Sequence, residues 1–380
     1  MAEKKINLPV NWIDGMKINK NHFISTDNSV AQQAKSIYSS FINPFNYGIL
    51  LSTDGKTGSL KINLNIDNQG FIHAGVKNCV AVTPDGSRIE VIDPYFSGNE
   101  LSAVVPDVSA DQNAADGDEF LIALSVNSFE RVPFGEPDPE EVPPRLPSVL
   151  PGYHLSVHRT EEKASVSVGN SIIIGKIIFH GNKPELDDDY IPPCQAVYSH
   201  PKLVDFYSQL QKVMGQIEID IVDILSGIKN KKQSTSIAAT VAELGNSILN
   251  FMSVRLVEFR KIARYRPPVF IFELVAALAR TINNSINKQA SADKEELMNY
   301  VQDWSSLKQT EFENLIRNTI EYKYDHNNIN EAINSLTPFI NSISKIFNTL
   351  SNLDFIGKKK DMHIFVKEQK EKPGSSFLLD

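Results

Sequence analysis

The chain has 380 residues, 41% of them hydrophobic and 22% charged, a composition that excludes intrinsic disorder and gives length enough for two or three domains. Its 38 basic and 46 acidic side chains leave a net charge of −8, which argues against nucleic acid as a partner, because phosphate binding needs a basic face. Two cysteines, Cys79 and Cys194, are too few for a disulfide framework and fit a reduced, cytoplasmic setting.

The first ten residues lack the apolar core of a signal peptide. The most apolar runs, 172–179 and 269–279, are interrupted by Lys176 and Glu273, short of the ~18 apolar residues of a spanning helix, so no direct membrane span is expected. After the opening segment comes a polar helical stretch containing Gln32 and Gln33. Strands follow. Residues 61–67 alternate, with Ile62, Leu64 and Ile66 on one face and Asn63 and Asn65 on the other. Further short apolar runs stand at 71–76, 79–82, 88–92, 120–126, 165–168 and 171–179, separated by turn signals at Asp54-Gly55, Asn68-Gln69-Gly70, Asp85-Gly86, Gly169-Asn170 and Gly181-Asn182. Many short strands at close spacing predict an antiparallel β-sandwich. Seven prolines between Arg131 and Pro151, with Glu136, Asp138, Glu140 and Glu141 among them, predict an extended arm or loop, either solvated or laid against a neighbouring subunit.

The second half changes period. Leu203, Tyr207, Leu210, Met214, Ile217, Ile221, Ile224 and Ile228 step by alternating fours and threes, a heptad seam that serves either an oligomer or an intrachain bundle. A second helix carries Ile237, Val241, Leu244, Ile248 and Phe251. Arg266-Pro267-Pro268 breaks the chain before a third helix with Ile271, Leu274, Val275, Leu278 and Ile282. A fourth is read over Leu297, Val301, Trp304, Phe312, Leu315 and Thr319. The last pattern, Ile329 to Leu350, holds Pro338, where a break or kink is expected; its first positions continue the bundle. Met362, Ile364 and Val366 read as one short strand, and residues 351–380 have too little apolar area for a core of their own, so they are expected to order on a partner.

The search for chemistry is negative. Asp54-Gly55-Lys56-Thr57 lacks the glycine a phosphate loop needs at position 50. His154 and His158 share a strand face with no further ligand nearby in sequence, Asn63-x-Asn65-x-Asp67 lacks the glycine and glutamate of a calcium loop, and Asp187-Asp188-Asp189 reads as a solvated turn. No nucleophile, base and stabiliser come together, so no enzyme activity, cofactor or metal is expected.

The opening is distinctive. Trp12, Gly15 and Met16 are followed by His22-Phe23 and then by Asn43-Pro44-Phe45-Asn46-Tyr47-Gly48. Thr83-Pro84-Asp85-Gly86, Tyr190-Ile191-Pro192-Pro193 and Arg266-Pro267-Pro268 come later in the chain. In this order, over about residues 8–325, these elements resemble the TssK family of type VI secretion baseplate components. The resemblance implies an α+β multidomain protein: a shell at 1–195, an antiparallel β-sandwich like a phage receptor-binding protein; a helical-bundle neck at 196–325; and a short head at 326–380, reduced relative to the family. Residues 1–195 and 200–325 are expected to form separate cores, joined at a protease-sensitive hinge at Ile191-Pro192-Pro193. The resemblance further implies a non-catalytic homotrimeric adaptor at the cytoplasmic face of the inner membrane. Its partners would be the wedge proteins TssF and TssG and, through the C-terminus, a membrane-side anchor. A phage-tail-type module that binds a receptor or glycan is the alternative. Trp12, Gly15, Met16, His22 and Phe23 either plug the sandwich or touch a partner; both readings stay open on sequence.

Overall fold

The structure is a computed structural model, and it describes residues 7–51, 60–92, 101–109, 117–166, 168–181 and 183–357. The turn read at Asp54-Gly55, Asn182 of the Gly181-Asn182 turn and the strand read at Met362, Ile364 and Val366 lie outside these residues.

Helix α1 (Lys20–Ser39) precedes a sheet of five strands: β1 (Gly48–Ile49), β2 (Leu60–Ile66), β3 (Phe71–Val82), β4 (Arg88–Val91) and β5 (Leu101–Ser109). All four others pair antiparallel with β3. The runs at 71–76 and 79–82 are thus one strand; the polar Lys77 and Asn78 between them are accommodated by a register shift in the β2 ladder between Lys61 and Ile62. Strand β5 was not visible in the sequence because Pro106 interrupts it; the ladder to β3 slips between Phe71 and His73, where their partners jump from Ser109 to Val104 and leave the proline without a ladder donor to supply.

A second antiparallel sheet has the order β7-β6-β8-β9, from β6 (Glu119–Phe134), β7 (Ser148–Arg159), β8 (Ser171–His180) and β9 (Lys183–Leu186). Alternation sorts β6 cleanly. Phe120, Ile122, Leu124 and Val126 join Ile72, Ala74 and Val76 of the first sheet in one core, while Leu121 and Ala123 face the other way with Ile173 and Tyr190. Gly175 lets the sheets approach: a Cβ there would stand 2.8 Å from Ile62 Cδ1 of the first sheet. The run at 165–168 is corrected. Ser165 and Val166 belong to a short helix, α2 (Lys163–Val166), which lays Val166 over the outward cluster of the second sheet instead of pairing as a strand; Ser167 lies outside the described residues.

The rest is helical: α3 (Pro201–Asn230), α4 (Ser236–Lys261), α5 (Val269–Asn287), α6 (Ser291–Ser305), α7 (Gln309–Glu321) and α8 (Ile329–Ser351). The single fourth helix of the sequence reading is two. Ser306 adopts a left-handed φ of 68°, Ser305 Oγ accepts from Leu307 N, and Glu311 caps the start of α7 through Lys308 N. The break expected at Pro338 does not occur. Pro338 sits inside a continuous α8, on its exposed face, where water can reach the carbonyl left without a donor. Helix α8 packs along α3, so residues 329–351 are part of the bundle. Residues 351–357 are also held: Ile356 is buried, its N–H reaches Gln233, and Tyr300 donates to the Gly357 carbonyl at 2.6 Å.

By length and mean hydropathy (1.2 and 1.3), α4 and α5 could cross a membrane, a property that the sequence reading denied to every segment. In the structure their apolar residues, such as Ile248, Met252, Ile271 and Leu278, fill the bundle core.

Sheets and helices meet at a buried junction. Pro192 and Pro193 are both buried; Ile49 N donates to the Pro193 carbonyl at 2.7 Å, Gln195 N to the Ile49 carbonyl at 3.0 Å, and Ile49 bridges Cys194. Gly48 makes this approach possible. Its φ is +106°, and a Cβ there would lie 2.1 Å from the Pro193 oxygen. The sequence reading gave the two halves separate cores with a protease-sensitive hinge at Pro192-Pro193. That is corrected: the hydrophobic core runs continuously through Ile191, Cys194 and Val197 into the helices.

Candidate interaction surface

The heptad seam of α3 is filled by the chain itself. Leu203, Tyr207, Leu210, Met214, Ile217, Ile221 and Ile224 are buried, and Ile228 packs at the edge of the same core. Tyr207 Oη donates to the carbonyls of Phe259 and Arg260, and the backbone at Gly245 on α4 comes so near Ile221 that a Cβ would meet it at 3.1 Å. Helices α4 and α8 pack against this seam, while Ile219 and Val222 of the same helix, off the seam, stay exposed.

Helix α1 is built the opposite way. An amphipathic helix on a globular domain turns its apolar stripe inward. Here the only buried residue is Ser29, and the half-buried positions are mostly polar, Thr26, Asn28, Gln32 and Lys35 among them beside Ile24 and Ala31. The outward face carries Phe23 (58% exposed), Val30 (59%), Ile37 (61%) and, just past the helix, Phe41 (73%). A helix of 20 residues is marginal alone in water, so its few contacts must hold it. Its start is capped reciprocally by Asn19 and His22. Its middle is tied by Asp27 to Arg131 of β6 at 2.9 Å. Its last turns rest on the Thr83-Pro84-Asp85-Gly86 turn, where Lys35 pairs with Asp85. Gly86 has φ +84°, and a Cβ there would lie 2.7 Å from Ser39 N and 2.9 Å from the Lys35 carbonyl, so the turn accepts the helix only as glycine. Burial raises the Asp85 carboxyl, but bonds from Lys35, Thr83 and Ser87 outweigh it and hold the group below its ordinary range.

The opening motif sits at the start of this helix and does not plug the sheets. Trp12 is 49% exposed and rests against His22 and Phe23 with ring centroids 6.0 and 6.4 Å away. Gly15, with φ +77°, turns the chain so that Met16 N reaches the Ile13 carbonyl, and Met16 is half-buried. His22 is a cap residue, its Nδ1 accepting from Asn19 N. Leu8, Ile13 and Ile18 around it are also exposed. The sequence motif thus marks a surface, and the signal for that surface was the apolar spacing 23, 30, 37, which sequence reasoning passed over.

The arm is partly strand. Ribbon pairing of β6 and β7 continues from Val132↔Leu150 to Phe134↔Ser148, and residues 135–147 cross its tip. The tip is solvent-exposed, Val142 at 95%, and Arg145 pairs with Glu141, four residues earlier.

At the junction, the loop between α7 and α8 reaches back to the sheets. His326 is buried; its Nε2 donates to the Tyr47 carbonyl and its Nδ1 accepts from Tyr324 Oη, both at 2.9 Å. Burial holds its pKa down to about 4, against smaller opposing effects of the Tyr47 carbonyl and Asp325. Burial likewise lowers His200, the N-cap of α3, to about 4. Burial pushes the Cys79 thiol up to about 12 and raises Cys194 as well, so neither is poised as a nucleophile. His154 pairs with Glu130 and His158 with Glu162, each separately. Asp187 pairs with Lys176 and Asp189 with Lys202. Among the described residues no cluster of three or more His, Cys, Asp or Glu could hold a metal.

No family model matches the chain, and no curated protein matches it in sequence. Solved structures do match. A crystal structure of TssK aligns at 15% identity with a TM-score of 0.50, covering 91% of this chain and 70% of that one. TssK from the type VI secretion system of EAEC, in complex with a nanobody, aligns at 11% identity and a TM-score of 0.47, covering 84% and 97%. The TssK-TssF-TssG baseplate subcomplex seen by cryo-electron microscopy contributes a chain at 12% identity and 0.45, covering 90% and 99%. Across 91% of its length, this chain has the fold of TssK.

Proposed function

We propose that this chain is a non-catalytic component of a type VI secretion baseplate, working as a homotrimeric adaptor. The observation that carries the reading is the TssK fold over 91% of the chain, which stands beside the ordered sequence markers from Trp12 to Pro268. In this reading residues 1–195 form a β-sandwich shell of the phage receptor-binding type, a shape supported by the core that the two sheets share. Residues 196–325 form the neck, and 326–380, whose helix α8 packs along α3 of the neck, a reduced head. The shell meets the wedge proteins TssF and TssG, the head meets a membrane-side anchor, and the complex sits in the cytoplasm at the inner membrane. The outward face of α1, with Phe23, Val30 and Ile37, is an assembly surface, because it is apolar, ordered and unpacked in the single chain.

The test is capture of the tagged full chain from cells that carry the secretion system, together with its molar mass in solution. The reading expects co-purified wedge proteins and a mass of three chains. Capture of glycan without wedge proteins would favour the receptor-binding alternative and contradict the adaptor.

A further inference from the structure

The tip of the arm and the start of α1 are both exposed, and their chemistries are complementary. The tip, residues 135–147, carries Glu136, Asp138, Glu140 and Glu141 against Arg145, a net charge of 1 − 4 = −3. Pro137, Pro139, Pro143, Pro144 and Pro147 are all exposed, and so are Val142 and Leu146. The α1 start offers the counterparts. Lys17 and Lys20 are exposed against one acidic side chain of the segment, Asp14, no acidic residue stands in the first turn, and the helix N-terminus adds its own positive end. The same segment exposes the rings of Trp12 and Phe23, which rest on each other, and the side chains of Ile13 and Ile18. Proline-rich segments bind aromatic surfaces because they arrive already extended and lose little conformational freedom on docking.

We propose that the acidic, proline-rich arm of one copy docks on the Trp12–Phe23 surface of a second copy, its carboxylates meeting Lys17 and Lys20. The arm does not cover this surface in its own chain. The ribbon ladder holds its root, Gly135 packs against Pro147, and the Arg131–Asp27 pair fixes that root beside the middle of α1, while Val142 and Trp12 both remain in solvent. A donor arm and an acceptor surface at different places on one chain make a heterologous contact, which closes into a ring when the rotation between copies permits. The proposal deepens the self-association part of the proposed function and rests on it.

The test uses the full chain and light scattering over a concentration series at low and high salt. Reversing the acceptor (Lys17→Glu with Lys20→Glu) or the donor (Glu136→Lys, Asp138→Lys and Glu140→Lys) should raise the concentration for half-association about tenfold or more. Joining both sets in one chain should restore it to within about threefold. Association of the unchanged chain should weaken in high salt, since the paired charges are exposed. All these positions are exposed, so thermal unfolding should not move. If the unchanged chain associates and the reversals leave the midpoint where it was, or the joint variant is not restored, the arm contact is overturned while self-association stands. A chain that stays single at every concentration overturns both. As a second measurement, Ile18→Cys with Leu146→Cys should give oxidised products of two or more chains, the native Cys79 and Cys194 being buried. Oxidised product of one chain only would overturn the assignment of the partner as a second copy.

Discussion

Two helices of this molecule, α1 and α3, carry apolar stripes at seven-residue spacing and use them in opposite ways. In α3 the stripe runs inward: Ile217 and Ile221 are 1% and 0% exposed, packed among the chain's own helices. In α1 it runs outward, with Phe23, Val30 and Ile37 each more than half exposed and mostly polar side chains at the half-buried positions. Periodicity reports that a helix has an apolar face; whether the face is filled depends on how many other apolar elements the topology brings to it. Helices α4 and α8 both pack along α3, whereas α1 meets the sheets at the β6 ribbon and the turn at Asp85-Gly86. The seam that the sequence offers at 203–228, to an oligomer or to a bundle, is therefore filled inside the chain, while α1 leaves its apolar stripe exposed; Ile219 and Val222 of α3 and Val254 and Val257 of α4 are exposed as well, off that seam.

This contrast is sharpest to break in α3. Ile221→Asp would put a charge where no partner exists and remove packing against α4, so we expect a loss of about 4 kcal/mol or more in urea unfolding, enough to prevent folding of much of the protein. A variant with wild-type stability would mean the seam is not packed as described. The junction between the two regions comes next. Gly48→Ala forces a Cβ against the Pro193 carbonyl at a left-handed φ and should cost about 3 kcal/mol, read as a lowered melting temperature.

Acid probes the same junction. His326 and His200 have pKa values near 4 in the folded chain, below the ordinary 6.5 that they regain on unfolding. Between these values the unfolded chain binds protons that the folded chain refuses. Their stability contribution is therefore complete above about pH 6.5 and falls as the pH drops toward 4, by up to about 3 kcal/mol for each histidine. His326→Gln should flatten that pH profile by roughly half; an unchanged profile would mean that His326 titrates normally in the fold.

Much of this was legible in the sequence, and the failures have physical causes. The 4-3 steps of α3 survive because that helix buries one face; β2 keeps its alternation at Ile62 and Leu64 but ends with Ile66 exposed, and the run at 120–126 is a strand buried on both faces. The run at 165–168 looked like a strand, since four residues cannot separate one helical turn from a short strand when the burial comes from a neighbouring sheet. The α6–α7 break rests on the left-handed Ser306, and no Gly or Pro announces it. Pro192-Pro193 read as a hinge because its partner, Ile49, is far away in sequence. Limited proteolysis should accordingly spare residues 190–199 and cut the exposed tip at 135–147 first; early cleavage at Pro193 would restore the hinge. The opening motif was found, but its role as an exposed surface was not, because a ring that plugs and a ring that docks leave the same letters.

The most direct test of an inward stripe in α3 and an outward one in α1 is to place aspartate on the outward stripe and measure stability and assembly in the same sample. Val30→Asp with Ile37→Asp should leave urea unfolding within about 0.5 kcal/mol of the unchanged chain, as for other exposed substitutions, while abolishing the co-purification of wedge proteins or the self-association of the chain. Lost stability would show that this face is packed within the fold, and intact stability with intact assembly would show that it is no assembly surface; either result contradicts the account.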